Sequence, residues 1–102
     1  MQTVQILVPL RLTDGHLILV KIEELETPPR PGDKIWDASF DNLMRHCDKR
    51  LTEITVEESG VDLDENIVIL MCREIVLDAP THKMLAGSTL AGWGNDYEFE
   101  RN

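Results

Sequence analysis

The sequence predicts an α+β fold, in which a mostly antiparallel sheet of four to five strands packs on one amphipathic helix at residues 38–51. Two observations carry this prediction. Alternating apolar segments flank a turn signal near the N-terminus, and residues 67–77 form a run rich in β-branched side chains. A second short helix near 80–92 is possible from the sequence. With 102 residues, the chain has the size of a single compact domain spanning 1–102.

Residues 3–25 predict a β-hairpin. The even positions of its first half are apolar, as are positions 18, 20 and 22 of its second half. A three-residue loop ending at Gly15 would pair Leu10 with Ile18 and place both apolar sets on one face. We therefore expect this register, with Gly15 in the left-handed position of a type I turn with a bulge.

Prolines constrain the first third of the chain. Pro9 lacks an N–H, which indicates that the first strand is an edge strand or has a bulge there. Residues 27–34 hold three of the five prolines and predict a stiff, extended connection.

The helix at 38–51 is predicted from the spacing of its apolar side chains. Asp37 is the expected N-cap. Five apolar side chains fall within an arc of about 100° on a helical wheel, and the other side is polar. These five are Phe40, Leu43, Met44, Cys47 and Leu51.

The second half of the chain predicts mainly strands. Residues 52–57 alternate as a short strand, and Ser59-Gly60 is a turn signal. Residues 67–77 predict a central strand covered on both faces, with an eleven-residue helix as the alternative. Residues 81–94 fit either a short helix or an ordered loop, and 95–102 alternate like a short edge strand.

The charge excludes some classes of function. Ten Lys and Arg stand against nineteen Asp and Glu, a formal net charge of −9. Such a surface disfavours direct binding to nucleic acid or to an anionic membrane. The N-terminus has no basic region of a signal peptide, and no apolar run is long enough to span a bilayer. We expect a cytoplasmic protein, with Cys47 and Cys72 as free thiols.

The motifs of known chemistry fail at the residues that the chemistry needs. Asp62–Asn66 opens like a calcium loop, but Ile67 and Arg73 replace its glycine and its bidentate glutamate. The glycines at 87–94 have the spacing of a P-loop without its lysine. The histidines share no metal-ligand spacing with either cysteine. We predict no catalytic residue, cofactor or metal ligand, and favour a protein that is not an enzyme.

The acidic side chains are unevenly distributed. Residues 57–102 carry ten acids and three bases, and five of these acids fall within nine residues. A solvated surface that aids solubility explains such a cluster, and so does a face that steers a basic partner. The second explanation predicts a non-enzymatic binding or regulatory protein that engages a basic protein surface, similar in composition to inhibitor and immunity proteins. The candidate partner-binding residues are Glu57, Glu58, Asp62, Asp64, Glu65, Trp36 and Trp93.

Two other functions remain open from the sequence. One is a small-ligand-binding protein or enzyme with a groove between 28–36 and 81–94. Its lining would comprise Trp36, Trp93, His82 and Cys72. The other is a structural homo-oligomer formed through the second face of the hairpin, where Leu7, Leu17 and Leu19 lie beside Pro9.

Overall fold

A computed structural model describes residues 1–12, 15–38, 53–76 and 94–95 of the chain. Their secondary structure consists of strands, with no helix among these residues. The strands are β1 (Gln2–Leu12), β2 (Gly15–Leu25), β3 (Lys34–Trp36), β4 (Glu53–Asp62), β5 (Ile67–Cys72), β6 (Ile75–Val76) and β7 (Gly94–Asn95).

The described strands form one mixed sheet in the order β3-β4-β5-β1-β2-β7, and β6 pairs with β1 beyond the end of β5. The β1–β2, β2–β7, β3–β4 and β4–β5 pairs are antiparallel, whereas β1 runs parallel to β5 and β6. The chain thus passes from β2 across the sheet to β3 and β4, and returns through β5 to the far side of β1.

The predicted α+β fold class is wrong. The described residues are nearly all strand, and the sheet is a curled half-barrel rather than a layer packed on an amphipathic helix. The core lies on one face of this curled sheet. It comprises Val4, Ile6, Val8, Leu10, Leu17, Leu19, Ile54, Val56, Leu70 and Cys72. A curled sheet brings side chains of separate strands together on its concave face, which buries apolar surface. Apart from Ala38, the helix predicted at 38–51 lies outside the described residues, as does the one near 80–92.

The hairpin at residues 3–25 is confirmed, but its predicted register is wrong. Leu12 pairs with Gly15 and Leu10 pairs with Leu17, so two residues rather than three separate the paired ends. The odd positions of β2 therefore face the core. Leu19 is 4% exposed, while Ile22, predicted to be in the core, is 60% exposed. Gly15 has a φ of +152°, which glycine adopts readily, and it belongs to the strand rather than to a bulge.

β1 is an interior strand, so of the two alternatives that Pro9 indicated, an edge strand or a bulge, the edge strand is wrong. Its parallel pairing covers Val4–Leu7 with β5 and resumes at Leu10 with β6. Pro9 lies in the interval between these two pairings. Proline suits this interval because it has no N–H group that would be left without a hydrogen-bond acceptor where the parallel pairing is interrupted.

The proline-rich connection ends in a turn that attaches it to β4. Asp33 N–H donates to the carbonyl of Arg30 at 2.9 Å, and Gly32 has a φ of +94°. With proline at its second position and glycine at its third, this turn is typical of type II. Gly32 N–H donates to the carbonyl of Val56 at 2.8 Å, and Val56 N–H donates to the carbonyl of Asp33 at 2.9 Å.

The short strand predicted at 52–57 is confirmed but is longer than predicted. β4 continues through Ser59 and Gly60, which pair with Leu70 and Ile69, so the turn predicted at these two residues is wrong. The pairing with β5 shifts between Val56 and Glu58, as in a β-bulge.

The strand predicted at 67–77 is confirmed in part. It divides into β5 and β6 at Arg73 and Glu74. β5 lies inside the sheet, and Leu70 and Cys72 are buried, but Met71 on the other face is exposed. The two faces of the strand are therefore not equally covered, and the core face is the more buried.

Candidate functional site

Among the residues that the structure describes, nothing pairs with the outer edge of β4 over Glu57–Asp62, and this stretch is called the open edge of β4. β3 pairs with β4 only from Glu53 to Thr55, and the Gly32 and Asp33 backbone covers Val56. Beyond that residue, no strand in the part of the chain that the structure describes pairs with this edge. All residues from Glu57 to Val61 are exposed, as expected for the edge of a sheet.

The bulge decides which face of the sheet each side chain of this edge occupies. After the shift, Glu58, Gly60 and Asp62 lie opposite Met71, Ile69 and Ile67, on the face turned away from the core. Ser59 and Val61 lie on the core face. Two carboxylates therefore flank a glycine at alternate positions on one face of an open strand.

A shallow depression of about 430 Å³ lies over this glycine. Its lining combines carboxylates with apolar side chains: Glu58, Ser59, Gly60, Val61, Asp62, Ile69 and Met71. A Cβ added to Gly60 would meet no atom within 4 Å, so the depression exists because this position has no side chain. Such a site can accept an apolar side chain between two positive charges.

The tip of the β4–β5 hairpin is shaped by Asp62. Its Oδ1 accepts the N–H of Asp64 at 3.0 Å and that of Glu65 at 3.3 Å, an Asx-type turn. Asn66 then adopts a φ of +55°, which asparagine tolerates well. Leu63 projects from this tip and is 87% exposed. The described residues contain no cluster of metal-ligating side chains, so the tip is an acidic turn with one exposed apolar side chain.

The structure does not bring Trp36 to the acidic residues. Trp36 pairs with Glu53 at the opposite end of β4 from Asp62 and is 69% exposed. Nine residues separate that end of β4 from Asp62, about 30 Å of extended strand. Trp93 lies outside the described residues.

Half of the predicted groove falls within the described residues. A depression of about 550 Å³ follows the proline-rich connection, lined by Thr27, Pro28, Pro29, Arg30, Gly32, Asp33, Lys34 and Trp36. Cys72 is buried in the core and is not part of this lining. The other side of the groove, at 81–94, lies outside the described residues except for Gly94, which belongs to β7.

The surface suggested for a homo-oligomer is not exposed. Leu17 and Leu19 belong to the core, and Leu7 is buried on the opposite face of β1. These three side chains are therefore not available to a second copy.

The core face also carries an ion pair. Lys21 Nζ lies 2.5 Å from Asp37 Oδ2 and 3.4 Å from Glu23 Oε1. Burial opposes the charge on Lys21, but hydrogen bonding and Coulombic attraction to Asp37, together with Glu23, outweigh it and raise the lysine pKa above its ordinary value. Lys21 therefore stays charged at neutral pH.

The thiol of Cys72 is free and buried, and burial raises its pKa to about 11. It therefore remains protonated at neutral pH and is a poor nucleophile. This agrees with the free thiol predicted for Cys72, while Cys47 lies outside the described residues.

The sequence predicts the acidic residues of this site but not the residues that form the depression between them. Gly60, Ile69 and Met71 form the depression, yet the sequence pattern assigns Gly60 to a turn. A glycine within an alternating strand pattern also indicates close approach by another group, and this was the available signal.

No family model, curated protein or solved structure matches this chain. Among the described residues, no helix is long and apolar enough to cross a membrane. The described residues form a curled, mixed β-sheet, and among them the edge of β4 over Glu57–Asp62 is left unpaired.

Proposed function

We propose that this protein is a non-enzymatic binding or regulatory protein that engages a basic protein surface through Glu57–Glu65, here called the acidic hairpin. The observation that carries the proposal is the depression at Gly60, where Glu58 and Asp62 flank an apolar floor on an open strand. An acidic surface that served solubility alone would not need exposed apolar side chains beside its charges.

The composition of the acidic hairpin supports binding rather than solubility alone. Five of its nine residues are acidic and none is basic. Val61 and Leu63 are both largely exposed within it. Charges at the rim accelerate association with an oppositely charged partner, while apolar contacts at the centre supply most of the affinity. The acidic hairpin has both components within one short segment.

A cytoplasmic site of action belongs to this proposal. The buried free thiol of Cys72 supports it, because unpaired cysteines are typical of reducing compartments. Fractionation of cells that produce a tagged full chain would test this location.

Affinity capture with matched baits tests the function. One bait, Glu58→Gln/Asp62→Asn/Glu65→Gln, removes three of the five negative charges of the acidic hairpin and is called the neutralised bait. Its Asp62→Asn change keeps the side-chain oxygen that caps the turn. The control bait, Glu24→Gln/Glu26→Gln/Glu74→Gln, removes the same number of exposed charges elsewhere. Each is incubated with lysate of the native cell at low and high salt, and bound proteins are identified by mass spectrometry.

We expect a partner with a basic surface that the unmodified and control proteins capture and the neutralised bait loses. Raising the salt concentration should release it, since screening weakens exposed charge pairs. Equal capture by both variant baits, or capture that survives high salt, would refute a charge-guided surface at the acidic hairpin.

A further inference from the structure

We propose that the partner of the acidic hairpin binds by adding an extended basic segment as a new strand along the open edge of β4. This inference rests on the proposed function and specifies how the partner binds. An unpaired strand edge offers a row of backbone donors and acceptors to another extended chain. Glu57–Asp62 provides such an edge, because no described strand covers it.

The alternation of β4 determines which side chains the added strand should carry. Residues placed opposite Glu58 and Asp62 would be lysine or arginine, since opposite charges stabilise cross-strand pairs. The residue opposite Gly60 would lie over the depression floored by Ile69 and Met71 and would be large and apolar. On the other face, the residue opposite Val61 would also be apolar, because Val61 is 59% exposed.

In the antiparallel direction, these requirements give a five-residue pattern: basic, apolar, large apolar, polar, basic. The two basic residues and the large apolar one share a face, as alternate residues of a strand do. The bulge at Glu57 limits the segment, because a bulge disrupts regular pairing on its strand. The site therefore suits a short basic strand.

Charge excludes a second copy of this chain as the occupant. Two β4 edges paired antiparallel about Gly60 would place Glu58 of each copy opposite Asp62 of the other. Like charges directly opposite one another destabilise a strand pair. The same acids that would attract a basic strand prevent this edge from joining copies of the protein.

The probe is a capped synthetic peptide, Ser-Lys-Val-Leu-Thr-Lys-Ser, titrated into the ¹⁵N-labelled full chain. We expect amide shifts and slowed hydrogen exchange concentrated at Glu57–Asp62. The peptide with glutamate in place of both lysines should bind at least tenfold more weakly. Perturbations centred elsewhere on the protein would overturn the proposal.

Two protein variants separate strand addition from charge attraction alone. Gly60→Val fills the depression without touching a charge and should weaken the peptide at least tenfold, while Glu26→Gln should leave its affinity unchanged. Gly60→Val has space for its side chain, so the variant is expected to fold, and its amide spectrum verifies this. Equal peptide affinity for Gly60→Val and the unmodified protein would overturn the proposal.

Backbone methylation of the peptide supplies a third readout. In an added strand, alternate N–H groups point toward β4 and the others point to solvent. N-methylation at one set of alternate peptide positions should abolish binding and at the other set should leave it nearly unchanged. Equal effects at both sets would overturn strand addition. A further outcome is that the peptide does not bind although the neutralised bait still loses a native partner that the unmodified protein captures. In that case the proposed function stands and only this mode of binding is wrong.

Discussion

Lys21 and Asp37 form an ion pair at 2.5 Å, although the strands beside them lie far apart in the order of the sheet. Lys21 belongs to β2, and Asp37 directly follows β3. In a flat sheet, β2 and β3 would be separated by four strand spacings, about 19 Å. The pair can therefore form only because the sheet curls toward its core face, and it joins the two sides of the half-barrel.

Removing one member of this pair should destabilise the fold. The two side chains are only 13% and 15% exposed, so a charge that loses this short contact gains little solvation in return. We expect Lys21→Met and Asp37→Leu to lower the free energy of unfolding by about 2–3 kcal/mol each. The double variant should lower the free energy of unfolding by less than the sum of the two single losses, because it removes both members of the contact together. Urea unfolding of the four proteins measures this coupling, and strictly additive losses would contradict it.

An exposed ion pair provides the matched control. Arg11 Nη2 lies 3.0 Å from Glu74 Oε1, but these side chains are 56% and 36% exposed. Solvent screening leaves such pairs with no more than about 1 kcal/mol. Arg11→Met should therefore change the free energy of unfolding much less than Lys21→Met does, in the same urea titration.

Alkaline pH should destabilise the protein through Cys72. Its folded pKa of about 11 lies above the reference value of 9.0, so the folded state resists ionisation. The stability that this provides is complete below the unfolded pKa and is lost as pH rises from about 9 through 11. Lys21, whose folded pKa is also raised, adds a loss above its reference value of 10.5. Cys72→Ala should flatten the pH dependence of the unfolding free energy between about 9 and 10. An unchanged slope in this interval would contradict a buried, protonated thiol.

The core face of β2 can be tested with one substitution at two positions. Leu19→Thr should lower the free energy of unfolding by about 2–4 kcal/mol, since it leaves a cavity and buries a hydroxyl. Ile22→Thr keeps a β-branched side chain at an exposed position. It should change the free energy of unfolding by about 0.5 kcal/mol or less. Thermal or urea unfolding distinguishes the two. A larger loss for Ile22→Thr than for Leu19→Thr would contradict the observed register and support the one in which Ile22 faces the core.

The same two positions of β2 show how far the sequence could predict the fold. The hairpin follows from local alternation and was predictable. Its register was not, because β2 is apolar at four consecutive positions, 17–20, and alternation cannot then decide which set faces the core. The curl also escaped prediction, because it is a property of the whole sheet that brings together segments distant in sequence, as at Lys21 and Asp37.

Of the candidate site, only the cluster of negative charges could be predicted from the sequence. Glu58 and Asp62 belong to an acidic run that is evident in the sequence. That their shared face is the one turned away from the core depends on the bulge at Glu57, which reverses the alternation of β4. The openness of the edge depends on where β3 stops pairing, and this is a property of the whole sheet rather than of any segment.

The two glycines that shape the surroundings of β4 should respond in opposite directions to the same substitution. Gly32 has a φ of +94° in its turn, so Gly32→Ala should lower the free energy of unfolding by about 1–2 kcal/mol. Gly60 has no positive φ and has open space around its Cβ position, so Gly60→Ala should raise it by about 0.5 kcal/mol. Urea unfolding of both variants beside the unmodified protein measures the difference. A loss at Gly60 as large as that at Gly32 would contradict the extended conformation of β4 at this residue, and with it the open edge on which a partner strand would bind.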